Sequence, residues 1–342
     1  MKLRDLGEFG LIERIERAAK RSRASRRGLV VGIGDDAAVL RPPAGEDWVV
    51  TTDALVEGTH FRWTNQSARS IGRRALVANL SDLAAMGARP LGFVFALAAP
   101  PSLEVRTLDG LLAGLLREAE AHGCPLIGGN VSRARQTSIT ITAQGSVLRG
   151  RALLRDKARP GDRIFVTGTL GGAALELARA AAGGRVRGVP IPRLRAGRAL
   201  ARRPDVGACI DISDGLLADL DHVLDRSGCS AELDLASVPR PPRFEAACRR
   251  LGVDPIRLAT RGGEDYELLF TLRARGRPTD RGPAGHSPVS GPSGPSAARG
   301  ASGATGPTVA ALSHRFGVAV TEIGKVVKKA ARRRKTPGWR HF

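Results

Sequence analysis

Acidic side chains recur in this 342-residue chain where they could hold a divalent cation. The first pair, Asp35-Asp36, follows the apolar run Val30-Val31-Gly32-Ile33-Gly34 and precedes Ala37-Ala38-Val39-Leu40. Adjacent carboxylates repel each other at intermediate dielectric. A cation relieves that repulsion, and ligands made of oxygen alone favour a hard ion such as Mg²⁺. A solvated turn uses the same residues, because Gly and Asp are ordinary turn formers. Further acids repeat the pattern of an apolar strand ending in a carboxylate. Asp53 closes Trp48-Val49-Val50-Thr51-Thr52, Asp211 and Asp214 follow Ala208-Cys209-Ile210, and Asn130 offers an amide oxygen after Leu126-Ile127-Gly128-Gly129. Asp82 lies instead within a helical stretch. In α/β sheets ligands collect at strand ends. Several carboxylates converging in an arginine-rich protein are costly without cations, and a site with more than one Mg²⁺ that receives a polyphosphate accounts for the pattern. Unrelated loop aspartates are the alternative.

The elements that position these residues are readable from periodicity. Residues 8–27 form an amphipathic helix ending in a basic cluster, and residues 67–87 form a second, with Ile71, Ala75, Leu76, Leu80 and Leu83 at helical spacing. A third helix carries Leu108, Leu111, Leu112, Leu115 and Leu116. Strands are expected at 29–33, 48–53, 91–98, 126–130, 138–148, 163–167 and 317–324, with another after the turn Arg261-Gly262-Gly263-Glu264-Asp265. Gly168-Thr169-Leu170-Gly171-Gly172 precedes an Ala-rich helix, where glycines can cradle an anion or make a packing turn. Neither standard nucleotide-loop fingerprint, Gly-x-x-x-x-Gly-Lys-Ser/Thr nor Gly-x-Gly-x-x-Gly, occurs. Composition shifts near residue 150, which divides the chain into domains 1–150 and 151–342. From 273 to 308 the chain is Gly, Pro, Ser, Ala and Arg, too poor in apolar surface to offset its ordering entropy, so a disordered insertion is expected there.

Hydrophobic content of 42% with 25% charged residues describes a globular protein. No apolar run suits a membrane helix, and Met1 to Phe9 lacks a signal-peptide core. Cys124, Cys209, Cys229 and Cys248 have no CxxC spacing, which disfavours a zinc or redox site and suits reduced thiols in the cytoplasm. The net charge of +21 gathers in Arg14 to Arg27 and in the tail from Lys325 to Arg340. A nucleic-acid partner would explain it, but aromatics at 4% offer few stacking platforms and no binding fingerprint is present.

Taken together, Gly32-Ile-Gly-Asp-Asp-Ala37, Thr51-Thr-Asp53, Glu57-Gly-Thr-His-Phe61, Asn79-Leu-Ser-Asp-Leu-Ala-Ala-Met-Gly87, Ile127-Gly-Gly129, Val166-Thr-Gly168, Asp211-Ile-Ser-Asp-Gly215 and Gly262-Gly-Glu-Asp-Tyr-Glu-Leu268 resemble the thiamine-monophosphate kinase family in order and spacing. The terminal His341-Phe342 does too. The resemblance spans nearly the whole chain apart from 273–308. It implies the two-domain α/β (α+β) fold shared with aminoimidazole ribonucleotide synthetase and selenophosphate synthetase. That fold has an N-terminal mixed sheet with helices, which binds ATP and Mg²⁺ and pairs into a homodimer, and a C-terminal α/β domain.

The implied activity is transfer of the γ-phosphoryl group of ATP to thiamine monophosphate, the last step of thiamine diphosphate biosynthesis. Carried over residue by residue, Asp36, Thr51, Thr52, Asp53, Asp82, Asn130, Asp211 and Asp214 fall on metal positions, with Asp35 beside them. Gly129, Asn130, Arg155 and Ser213 fall on ATP positions, and His60, Glu264 and Thr336 on substrate positions. Two departures stand out. Asn130 replaces the family's usual aspartate and contributes no charge, and Thr336 aligns with an aromatic, with Trp339 three residues on. No catalytic side chain is expected, because a phosphate monoester is already largely anionic near neutrality and needs no base. A sister synthetase acting on another phosphorylated substrate is the nearest rival; selenophosphate synthesis is disfavoured because no Cys precedes Cys124.

Overall fold

The computed structural model describes residues 1–33, 35–273 and 308–329. In order, the first half comprises α1 (Leu3–Arg21), β1 (Leu29–Val31), β2 (Val39–Leu40), β3 (Glu46–Val56), α2 (Ala68–Ala85), β4 (Arg89–Ala99), α3 (Val105–His122), β5 (Leu126–Arg133) and β6 (Ser138–Leu148). Its main sheet runs β3-β6-β4-β5, with β4 and β5 parallel and the other pairs antiparallel. Alternation along the strands sends Phe93, Phe95, Ile139 and Ile141 to one face, where they are buried beneath α2 and α3. Ser67 caps α2 by accepting the Ser70 N–H at 3.1 Å. On α3, Leu108, Leu111, Leu112 and Leu115 form the expected buried stripe.

The other half comprises β7 (Arg163–Thr167), α4 (Gly172–Ala181), α5 (Leu194–Ala201), β8 (Val206–Asp211), α6 (Leu216–Ser227), β9 (Cys229–Leu233), α7 (Phe244–Leu251), α8 (Pro255–Arg261), β10 (Leu268–Leu272), α9 (Val309–Phe316) and β11 (Val320–Lys328). Its sheet runs β8-β10-β7-β11-β9 with antiparallel pairing throughout, so the mixture is of the α+β kind. One apolar core lies between this sheet and α6, α7 and α8. The other joins the two halves: Leu76, Leu80 and Leu83 of α2 share a cluster with Leu200 of α5, Phe270 of β10 and Phe316 of α9.

Two expectations are revised. A short helical turn from Leu3, whose N–H bonds the Leu103 carbonyl at 2.8 Å, precedes the expected first helix, and a break at Gly7 (φ 66°) separates the two, so the long helix starts at residue 8 as its periodicity implies. That helix stops at Arg21, inside the basic cluster and short of residue 27, with Lys20 and Arg21 in its last turn. Asp53 and Asn130 do not end their strands: β6 pairs with β3 through Val56, and β4 pairs with β5 through Arg133. The 273–308 insertion, all but its end residues Arg273 and Thr308, and Thr336, Trp339 and the terminal His341-Phe342 lie outside the described residues.

Candidate active site

Between the two halves lies a cavity of about 1050 Å³, lined from one side by Asp53, His60 and Asp82 and from the other by Asp211, Ser213, Asp214 and Glu264. Strand alternation decides which member of the Thr51-Thr52-Asp53 string enters it. Thr51 and Asp53 point toward α2, and Thr51 Oγ1 donates to Asp82 Oδ2. Thr52 points to the opposite face, where its hydroxyl lies 3.0 Å from Thr142 Oγ1 and 3.0 Å from the Ile141 carbonyl.

Helix α2 supplies one stripe to the cavity wall. Arg74, Ala78, Ser81 and Asp82 follow helical spacing and face the second half. Ser81 Oγ donates to Asp211 Oδ2 at 2.7 Å, which ties α2 to the end of β8. Asp211 then begins a loop shaped by another acid. Buried Asp219, in the first turn of α6, accepts the backbone N–H groups of Ser213, Asp214 and Gly215 at 3.0, 3.0 and 3.1 Å. The same loop zips against the 262–267 segment through Glu264 N–H to the Ser213 carbonyl (2.8 Å) and Tyr266 N–H to the Ile212 carbonyl (2.9 Å). A Cβ at Gly263 would sit 2.2 Å from the Ser213 carbonyl oxygen, so only glycine permits this approach.

The Gly262-to-Leu268 string contains three acids with three destinations. Glu264 is gripped by the buried Arg74 guanidinium, whose Nη2 lies 2.7 and 2.8 Å from its two carboxylate oxygens. The other arm of Arg74 donates to Gln66 Oε1 at 2.6 Å and to the His60 carbonyl at 3.4 Å. Asp265 accepts the N–H groups of Gly171 and Ala173 at 2.6 and 3.0 Å, so the anion cradled at the start of α4 is the chain's own carboxylate. Glu267 pairs with Arg193 and accepts the Thr167 hydroxyl, both at 2.6 Å. Glu264 and Tyr266 hold positive φ of 65° and 52°, a strained backbone kept in place by these contacts.

Crowded carboxylates shift one another's titration. Asp53 is pushed up to about 6, first by desolvation and then by the charge of Asp82. Asp211 is pushed up to about 7 by desolvation and Asp82, against the Ser81 hydrogen bond and nearby Arg155. Asp82 is also raised, chiefly by desolvation, with Thr51 and Arg155 opposing. Asp219 reaches about 7 through desolvation and Asp214. Among the described residues, Asp214, Asp219 and His222 bring ligand atoms within 4.8 Å of one another. Asp53, Asp82 and Asp211 do not all come that close to one another. Their all-oxygen donor set, with Thr51 beside it, fits Mg²⁺.

Not every residue singled out by sequence reaches this cavity. Asp35 and Asp36 are exposed in the turn between β1 and β2 and do not line it. Arg155 lies near enough to stabilise the Asp82 and Asp211 charges. Gly129 packs against β4, where a Cβ would fall 2.0 Å from the Phe95 carbonyl oxygen. Asn130 is in register with Ala96, Thr140 and Ala54 on the outer face of the sheet, the face that also carries Thr52. Arg74, Ser81, Asp219 and Tyr266 were not foreseen. Arg74 carried a signal, being a charge one turn from both Ile71 and Ala78 in a helix whose residues are mostly buried.

The AIR synthase related protein N-terminal domain matches residues 34–147, and the corresponding C-terminal domain matches residues 159–273, which defines the class as a two-part AIR synthase related protein. Thiamine-monophosphate kinase of Escherichia coli (strain K12) is 40% identical over 281 residues, spanning 78% of this chain and 82% of that one. The crystal structure of thiamine-monophosphate kinase from Stenotrophomonas maltophilia K279a matches with TM-score 0.70 and 35% identity over 96% of each chain. AaThiL complexed with AMPPCP and TMP matches with TM-score 0.70 and 28% identity, covering 100% of this chain and 99% of that one. The chain belongs to the thiamine-monophosphate kinase family.

Proposed function

We propose that this protein transfers the γ-phosphoryl group of ATP to thiamine monophosphate, giving thiamine diphosphate and ADP. The observation that carries this reading is the inter-half cavity itself. Carboxylates from β3, α2 and β8 face one cavity from both halves, and His60 and Glu264 stand on the same cavity. AaThiL has been captured with an ATP analogue and TMP together.

In this reading Asp53, Asp82, Asp211 and Asp214 hold Mg²⁺, with Thr51 orienting Asp82. Bound there, Mg²⁺ supplies charge neutralisation and polarisation of the transferring phosphoryl group. Arg155 adds a fixed positive charge beside Asp82 and Asp211, and Ser213 presents its hydroxyl and backbone at the nucleotide end. His60 and Glu264 bind the acceptor, and Arg74 holds Glu264 in place. Positioning two anions in line is the main task, since the acceptor phosphate needs no deprotonation. The enzyme therefore forms no phosphorylated intermediate. Incubation with ATP, Mg²⁺ and thiamine monophosphate should yield thiamine diphosphate, and unphosphorylated thiamine should yield none. Product from thiamine, or a trapped phospho-enzyme, would refute this reading.

The assembly is a homodimer formed through the outer face of the β3-β6-β4-β5 sheet. Trp48, Val50 and Leu148 are 43%, 60% and 48% exposed on that sheet, an apolar surface suited to a second copy. Thr52 and Asn130 occupy the same face, about 16 Å apart across three strand spacings and a two-residue offset. Any contribution from them to metal or ATP is thereby tied to assembly. Sedimentation should give a dimer that Val50→Asp converts to monomer; a wild-type monomer refutes the interface. The protein works in the cytoplasm, a reading supported by four buried free thiols. Among the described residues no helix is long and apolar enough to cross a membrane.

A further inference from the structure

A second cavity, of about 690 Å³, opens away from the carboxylates, where the end of α3 and the start of β4 meet α5 and α9. Six arginines line it: Arg27, Arg89, Arg195, Arg198, Arg202 and Arg315, with His122 beside them and no carboxylate among the lining residues. Elsewhere arginines are commonly matched to acids, as Arg14 is to Asp109, Arg73 to Glu118 and Arg193 to Glu267. Here only Arg89 has a carboxylate partner, Glu46 at 3.5 Å. Among the described residues none lies within ion-pair distance of the other five.

The crowding is built into the fold. Arg195, Arg198 and Arg202 lie three and four residues apart along α5 and its C-terminal cap, the spacing at which like charges on a helix destabilise it. Arg195 Nε donates to the Arg315 carbonyl at 3.1 Å, which fixes α9 against α5 and brings Arg315 to the same opening. Burial first, then the charges of Arg202 and Arg89, lower the Arg198 pKa, with Glu46 opposing. The C-terminal end of α3 offsets only a fraction of one charge.

We propose that this cavity is a binding site for a small polyanion bearing two or more linked phosphates, separate from the inter-half cavity. Several guanidiniums converging on one opening match the bidentate demands of phosphate oxygens, which single surface lysines do not. The volume suits a small molecule. The shared chemistry is the phosphate chain, whether free or carried by a nucleoside.

Calorimetric titration of inorganic tripolyphosphate into the full chain, in EDTA and about 0.15 M salt, reads this site. Without divalent cations the Asp53, Asp82 and Asp211 cavity repels polyanions. One saturable site is expected. Arg198→Ala/Arg202→Ala and, independently, Arg315→Glu should each weaken it by about tenfold or more, whereas Arg155→Ala should leave it unchanged. All three arginines are exposed, so the variants should melt no lower than wild type while losing the ligand-induced rise in melting temperature. ATP in EDTA binding as tightly as tripolyphosphate assigns recognition to the phosphates; binding about tenfold tighter assigns it to a nucleotide. No saturable heat, equal affinity in the arginine variants, or an RNA oligomer that tripolyphosphate fails to displace would overturn the proposal.

Discussion

Arg74→Ala is the perturbation that tests most directly how the two halves make one site. Arg74 is 4% exposed and holds Glu264, Gln66 and the His60 carbonyl at once. Removing one partner of a buried ion pair costs about 3–5 kcal/mol. The Glu264 side chain keeps 27% exposure, so water recovers part of the loss, and about 2–3 kcal/mol of destabilisation is expected. Glu264 also sits at a φ of 65°, which costs about 1 kcal/mol or more and persists because Arg74 and the Ser213 carbonyl hold it. Released, the carboxylate relaxes away from the cavity, and about 1.4 kcal/mol of lost preorganisation raises the KM for thiamine monophosphate about tenfold. The KM for ATP should move less, because Arg74 makes no direct contact with Ser213 or Arg155 and the Glu264 N–H to Ser213 carbonyl bond is a backbone one that the substitution leaves in place. Arg74→Lys keeps the charge but loses the planar fork, and should recover only part of the defect. Steady-state thiamine diphosphate formation with each substrate varied, beside denaturant midpoints, measures all of this. An unchanged KM for thiamine monophosphate, or equal increases for both substrates, would refute the reasoning.

Other consequences follow from the acids. In EDTA the protein should become more stable as pH falls from about 7 toward the ordinary carboxylate range near ~4. The sign follows from Asp53 (about 6), Asp211 (about 7), Asp219 (about 7) and Asp265 (about 6), all raised in the fold, so the native state binds more protons across that window. Thermal melts in EDTA against pH measure it, and a melting temperature that rises with pH between about 4 and 7 would contradict it. Asp82→Asn should abolish turnover yet raise the EDTA melting temperature at neutral pH, because the charge that elevates Asp53 and Asp211 is gone. Asp219→Ala leaves three backbone N–H groups without their acceptor and should weaken Mg²⁺ dependence of activity more than it lowers the melting temperature, with Asp219→Asn intermediate.

Local patterns made much of the architecture legible. Ser138–Leu148 is a strand with the bounds that its alternation predicts, Arg163–Thr167 is one with the bounds expected after the Pro160-Gly161-Asp162 turn, and the leucine stripe of α3 packs as its spacing requires. Longer reach was the difficulty. Asp53 and Asn130 read as strand ends because each is a polar residue interrupting the run before it, but pairing with a neighbouring strand extended both elements and so decided which face each side chain occupies. Thr51 and Thr52 are indistinguishable by type, and only the sheet says that one meets Asp82 and the other turns outward. The partners of Glu264 and Asp265 lie 190 and 94 residues away, beyond any window of periodicity.

That distance explains the design of α2. A phosphoryl-transfer site between two halves needs its acids held at fixed separations, while each half supplies only some of them. One helix meets this need if a single stripe contacts both sides. Asp82 receives Thr51 from the first sheet, Ser81 reaches Asp211 on β8, and Arg74 closes on Glu264 about two turns earlier. The stripe spans the acid cluster and Glu264 with one rigid element, so a shift of the halves would have to break several charged or hydrogen-bonded contacts together. Loss of Ser81 alone removes one such link and leaves Asp211 buried with one acceptor unpaired, which is why the helix and the strand end act as one unit rather than as separate contributors of carboxylate.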